Sequence, residues 1–116
     1  MPRFLTIYRS AETGEPPTPE MIETMNAYIE QKAAEGVLIS TEGCQSSAQG
    51  AKLRLSNGDY AVTDGPFAEA KEIVGGFAIL QCNSKEQAIE ECKSFMQVAG
   101  DGETEIRELY EAPALA

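Results

Sequence analysis

The 116-residue sequence predicts an α+β fold, built as one domain that spans residues 1–116. Two segments carry apolar residues at helical spacing, and four others are short apolar runs typical of strands. A further pair of short strands is joined by an Asn-Gly dipeptide. The predicted order is strand, helix, strand, hairpin, strand, helix, strand. With the hairpin set aside as an insertion, this is the split βαβ, or ferredoxin-like, arrangement.

The first half of the chain is predicted to contain a strand, a helix and a second strand. The first strand is "RFLTIY" at residues 3–8. Thr18 is a good N-cap and Pro19 suits the first helical position, while Gly36 supplies a stop. Four apolar residues of the helix follow at helical spacing: Ile22, Met25, Ile29 and Ala33. The second strand begins with "VLIS" at 37–40.

The second half begins with the hairpin, whose turn is the Asn-Gly pair at 57–58, since both residues tolerate a positive φ. The strand "IVGGFAILQC" follows at 73–82. Ser84 and Gln87 form a capping box for a second helix. Its buried face is predicted to carry Ala88, Ile89, Cys92, Phe95 and Met96. The last strand is "ETEIRELY" at 103–110, before a short tail.

The central strand is apolar on both of its faces. In "FAILQC", Phe77 and Ile79 point to one side, and Ala78, Leu80 and Cys82 point to the other. Two helices can cover only one face of such a sheet, and the opposite face would expose a large apolar patch. We therefore predict that a second copy packs sheet against sheet as a two-fold homodimer.

The charge of the chain excludes some classes of partner. It has 9 Lys and Arg against 19 Asp and Glu, a formal net charge of −10. A nucleic-acid surface requires clustered cations, so direct nucleic-acid binding is not expected. No segment approaches the length of a membrane helix and no apolar signal segment opens the chain, so we expect a cytoplasmic protein without membrane contact.

The cysteines predict no metal site and no cofactor. Cys44, Cys82 and Cys92 form no CxxC pair, and the chain has no histidine. Cys82 and Cys92 lie in apolar patterns and are predicted to fill the core. Cys44 lies near the end of a strand and remains open to another role.

The segment "TDGPFAEAKE" at 63–72 places turn-forming and ionisable residues between two predicted strands. Pro66 fixes its own φ and biases Gly65 towards extended conformations. Asp64 is a candidate to accept hydrogen bonds from N–H groups two or three residues on, which would pin the turn, with Phe67 as a buried anchor. The alternative is that Asp64 is a functional carboxylate, and the residues leave both open.

The string "VTDGPFAEAKEIVGGF" resembles the signature of the YCII-related superfamily, in the branch named for its Asp-Gly-Pro-Phe (DGPF) motif. The segment "GVLISTEGCQSSA" resembles the part of that family that follows the first helix. The resemblance covers nearly the whole chain. It implies a dimeric α+β barrel of ferredoxin-like subunits, in agreement with the two-faced central strand.

The resemblance implies less about function, because the family is largely uncharacterised. Some relatives are associated with extracytoplasmic-function sigma factors. Others in the wider superfamily resemble small-molecule enzymes with a proposed His-Asp pair. This chain has no histidine, so that pair is impossible here.

Two functional hypotheses follow. The first is a small-molecule (metabolite) binding module, with a link to sigma-factor regulation. The alternative is an isomerase or lyase in which Asp64 is a general base and Lys71 holds an anionic group. The remaining candidate ligand-binding residues are Tyr8, Glu42, Gly65, Pro66, Phe67 and Glu69.

Overall fold

Six strands and two helices follow one another in the predicted order along residues 1–67 and 69–111, which the computed structural model describes. The predicted tail beyond Glu111 lies outside these residues. The elements are β1 (Arg3–Ser10), α1 (Pro19–Ala34), β2 (Leu38–Gly43), β3 (Ala51–Ser56), β4 (Asp59–Asp64), β5 (Ile73–Gln81), α2 (Lys85–Ala99) and β6 (Glu103–Glu108), with a short 3-10 turn at Ser47–Gln49. The prediction of an α+β fold is confirmed.

The predicted local signals set the ends of both helices. The Thr18 hydroxyl accepts a hydrogen bond from the Met21 N–H at 3.1 Å, so α1 is capped as expected. Gly36, with φ of 79°, follows the end of α1. At α2, the Ser84 hydroxyl accepts from the Gln87 N–H at 3.1 Å. The Gln87 side chain in turn accepts from the N–H of the residue before the cap, at 2.6 Å.

The strands form two separate sheets. The larger has the order β2-β5-β1-β6, with every neighbouring pair antiparallel. The smaller is the hairpin β3-β4, whose turn residues Asn57 and Gly58 have φ of 50° and 84°. These angles confirm the predicted two-residue turn. Both strands of the hairpin are exposed along their whole length.

One face of the larger sheet carries the core. Phe4 and Leu80 are buried there, together with Cys82 and with Ala88 and Cys92 of α2. The prediction that Cys82 and Cys92 fill the core is confirmed, and burial raises the pKa of Cys92 to about 11. No side chain of α1 is buried, and Met21 and Ile22 are 58% and 47% exposed. The helix forms where predicted, but it does not close down on the sheet.

The opposite face of the sheet carries Leu5 and Ile7 of β1 beside Ile79 and Phe77 of β5. All four side chains are only partly buried. The helices lie on the other face, since Phe4 and Leu80 pack against α2. Within the described residues, neither helix is long and apolar enough to cross a membrane.

Candidate functional site

A cleft of about 540 Å³ lies between α1, α2 and the sheet. It exists because the apolar side of α1 faces the sheet without packing against it. A volume of this size is typical of small-molecule sites. The apolar lining comes from all three elements and includes Met21, Met25, Ile29, Leu38, Ala78, Leu80, Phe95 and Val98.

Few polar groups line the cleft. The hydroxyls of Thr6 and Thr41 donate to strand carbonyls, at 3.2 Å to Ala78 and 2.8 Å to Phe77. These two hydroxyls are therefore already satisfied. Asn26 and Tyr28 line the cleft, and their side chains make no side-chain hydrogen bond within residues 1–67 and 69–111. Glu42 also borders the cleft, but it pairs with Phe77, so its carboxylate points to the opposite face of the sheet. The Asn26 and Tyr28 side chains remain available to a ligand.

An ion pair joins the two helices at the cleft. The Lys32 ammonium lies 3.0 Å from a Glu91 carboxylate oxygen, and the two side chains are only 15% and 19% exposed. Lys32 also contacts Glu35 on its own helix at 3.3 Å. The hydrogen bond with Glu91 raises the pKa of Lys32. No residue of α1 is fully buried, and this pair is one contact that links α1 to α2.

Tyr8 forms part of the cleft wall. Its ring packs edge-on against Phe95, with centroids 5.3 Å apart. Its hydroxyl donates to the Gly100 carbonyl at 2.8 Å, just beyond the end of α2. Burial raises the pKa of Tyr8, and the nearby charges of Asp101 and Glu72 act in the same direction. Tyr8 is thus a neutral, backbone-bonded wall residue that keeps its proton.

The turn at Asp64–Phe67 is fixed by residues from other parts of the chain. The Gly65 N–H donates to the Gly50 carbonyl at 2.9 Å, and the Phe67 N–H donates to the Ser47 hydroxyl at 3.2 Å. A Cβ atom at Gly65 would overlap the Ser47 carbonyl oxygen, so only glycine fits there. The Gly65–Pro66 peptide bond is cis.

Ser47 is held in turn by Glu12 from the loop before α1. One Glu12 oxygen accepts from the Ser47 hydroxyl at 2.6 Å and the other from the Ser47 N–H at 2.8 Å. These two bonds lower the pKa of Glu12. Ser47 itself is 4% exposed. We call Glu12, Ser47 and Phe67 the turn clamp.

The predicted site residues do not share one cavity. Tyr8 and Glu42 line the cleft. Phe67 lines a second cavity, of about 630 Å³. The side chains of Asp64, Glu69 and Lys71 are exposed and line neither cavity, and Gly65 and Pro66 belong to the turn itself.

The sequence prediction missed both the turn clamp and the Lys32–Glu91 pair. The partners in each lie far apart along the chain, so no local spacing reveals them. Serine at position 47 was visible within the family-like segment, but its bond to Glu12 depends on the path of the loop before α1. No group of three or more Cys, Asp or Glu side chains that could hold a metal ion is present in the part of the chain that the structure describes.

Comparison with known proteins supplies the family. A stretch of 40 residues is 48% identical to an uncharacterized protein of Rhizobium meliloti (strain 1021). That stretch makes up 34% of this chain and spans about a third, 32%, of the relative. The family model of the YCII-related domain matches residues 2–112. The chain therefore belongs to the YCII-related family.

Proposed function

We propose that the protein is a small-molecule binding module whose ligand occupies the cleft between α1 and the sheet. The observation that carries this proposal is the cleft itself, about 540 Å³ in volume and lined by apolar side chains of α1 that stay partly exposed. The concave site is already formed, so a ligand can bury its apolar surface without a large rearrangement of the protein.

The lining of the cleft defines the ligand class. Most of the wall is apolar, so the ligand has an apolar body. Asn26 and Tyr28 offer an amide and a phenol. A small phenolic or amide-bearing compound would meet these groups with hydrogen bonds. Tyr8 acts as a wall for this ligand, because its hydroxyl is occupied by the Gly100 carbonyl.

The subunit is proposed to be ferredoxin-like and to act as a homodimer. Support for the first part is the antiparallel order β2-β5-β1-β6 with a helix after β1 and after β5. Support for the second is the sheet face with Leu5, Ile7, Phe77 and Ile79, which the chain's own helices leave uncovered.

Catalysis by Asp64 as a general base, with Lys71 holding an anion, stays a prediction. Binding is favoured over it because both side chains are exposed and line neither cavity. The link to sigma-factor regulation also stays a prediction, based on the family resemblance.

A thermal-shift screen with neutral phenolic and amide-bearing compounds tests the binding function. A ligand present at about a hundred times its Kd should stabilise the protein by about 2.7 kcal/mol. Ala78→Met, which places a longer apolar side chain in the cleft, should remove that shift while lowering stability by about 1–3 kcal/mol. The matched control is Ala61→Met on the exposed hairpin, which should keep the full shift. A shift that survives Ala78→Met would place the ligand elsewhere and contradict the proposal.

A further inference from the structure

The second cavity, of about 630 Å³, lies where the Asp64–Phe67 turn meets the ends of β1 and β5. Phe67, Ile73 and Val74 give it an apolar lining. Arg9 and Lys52 bring two cationic groups to it, and Glu72 brings one carboxylate. Its volume is in the range of small-molecule sites. It is separate from the helix-side cleft, which is lined by a different set of residues.

Arg9 is one of the two cationic residues that line this cavity. The Arg9 guanidinium bonds to Glu105 at 3.1 Å, and Arg107 bonds to the other oxygen of the same carboxylate at 3.1 Å. One carboxylate thus serves two guanidinium groups. Arg9 uses one of its five N–H donors in this bond. Its side chain is 31% exposed, so its other donors are accessible to a ligand.

Lys52 is held by an aromatic ring. Its ammonium lies 4.5 Å from the centroid of the Phe67 ring. No carboxylate of residues 1–67 or 69–111 forms an ion pair with it. Among the residues that line the cavity, two are cationic, Arg9 and Lys52, and one is a carboxylate, Glu72. The carboxylates of Glu105 and Glu12 lie beside the cavity and are already bonded, to Arg9 and to Ser47.

We propose that this second cavity binds a small monocarboxylate with an apolar body. The guanidinium of Arg9 matches the planar geometry of a carboxylate, and Lys52 adds a point charge. The apolar lining from Phe67, Ile73 and Val74 receives the rest of the molecule. The acidity of the chain and the presence of Glu72 disfavour a polyanion such as a phosphate ester. The site is additional to the proposed function of the cleft and does not depend on it.

The test is an NMR titration of the ¹⁵N-labelled 116-residue chain with benzoate, with benzamide as the neutral analogue of the same shape. Benzoate should shift the amide signals of Gly50, Phe67 and Val74 in a saturable way. Benzamide should bind about tenfold more weakly or worse, because it cannot make charge-assisted bonds. Lys52→Met and Arg9→Met should each raise the Kd of benzoate about tenfold or more. Lys52 is exposed on β3, so its variant should fold normally.

Lys85→Met is the matched control. It removes an exposed cation at the start of α2 that lines neither cavity, and it should leave the Kd of benzoate unchanged. Ala78→Met should also leave benzoate binding intact, which separates this site from the cleft. Equal binding of benzoate and benzamide, absence of saturable binding to the unmodified chain, or an unchanged Kd in Lys52→Met would each overturn the proposal. Shifts confined to amides that line the helix-side cleft would also overturn it.

Discussion

Ser47 connects three segments of the chain through one hydroxyl group. The hydroxyl donates to Glu12 at 2.6 Å and accepts from the Phe67 N–H at 3.2 Å. The Phe67 N–H, for which Asp64 was a candidate acceptor, thus donates to Ser47 instead. Pro66 has no N–H to donate, and the N–H of Phe67 is already taken. Local spacing suggested Asp64 as the acceptor for the Phe67 N–H. Ser47 takes this role because the fold brings a segment from another part of the chain to the turn.

Replacing Ser47 with alanine should destabilise the turn. Ser47→Ala leaves the partly buried N–H of Phe67 and the Glu12 carboxylate with one partner fewer, and should lower the free energy of unfolding by about 1–3 kcal/mol. Urea denaturation measures this. The control is Ser40→Ala on an exposed position of β2, which should stay within about 0.5 kcal/mol. Equal changes in the free energy of unfolding for the two variants would contradict a stabilising role of the turn clamp.

The turn clamp should also depend on pH through Glu12. The folded state lowers the pKa of Glu12 below its ordinary value of 4.5. Its contribution to stability is therefore fully present above that value and is lost as the pH falls through the lower, folded value. The difference in stability between the unmodified protein and Glu12→Gln should be largest near neutral pH and shrink in acid. A difference that is constant with pH would contradict this.

Asp64→Asn distinguishes the binding function from the catalytic alternative. Asp64 is exposed, so the substitution should change stability by no more than about 0.5 kcal/mol. Ligand binding to the cleft should survive, because Asp64 does not line it. The thermal-shift assay measures both quantities. Loss of the ligand-induced shift at unchanged stability would instead favour a functional carboxylate, and Lys71→Met would then be expected to behave in the same way.

At the scale of elements, α1 is the least firmly packed helix of the described chain. Its start, its end and its apolar spacing were all predictable, because caps and periodicity are local features. The sequence could not predict that no residue of α1 is fully buried, because the distance of a helix from a sheet depends on packing against other elements. The Lys32–Glu91 pair links this helix to α2 at the edge of the cleft.

Lys32→Met should loosen α1 selectively. The two side chains are only 15% and 19% exposed, so the substitution leaves Glu91 largely buried without its partner and should lower global stability by about 1–3 kcal/mol. Hydrogen exchange of the α1 amides should be accelerated more than that of the β1 and β5 amides. Lys93→Met is the control, because it breaks the Lys93–Glu90 pair, whose side chains are 67% and 70% exposed, and should leave α1 unchanged. Uniform acceleration in all elements would contradict a tether specific to α1.

At the scale of the whole molecule, the uncovered sheet face favours a dimer. The sequence already indicated strands apolar on both faces, but it could not show which face the helices cover. The burial of Phe4 and Leu80 under α2 leaves Leu5, Ile7, Phe77 and Ile79 on the other side. A second copy that packs there would bury this face.

Sedimentation at micromolar concentration should give twice the chain mass of 12.5 kDa. Ile79→Lys places a charge on the uncovered face and should shift the mass towards that of the monomer, because an unpaired buried charge is costly. Ala61→Lys on the exposed hairpin should remain dimeric. A monomeric mass for the unmodified chain would contradict the dimer.

The central claim, that a small molecule binds between α1 and the sheet, is tested most directly by intermolecular NOEs to a compound from the thermal-shift screen. The methyl groups of Met25 and Ile29 on α1 and of Leu80 on β5 line the cleft from opposite sides. A ligand in the cleft should show NOEs to methyl groups on both sides, and these should disappear in Ala78→Met. NOEs confined to residues outside the cleft, or none for any compound screened, would contradict the account.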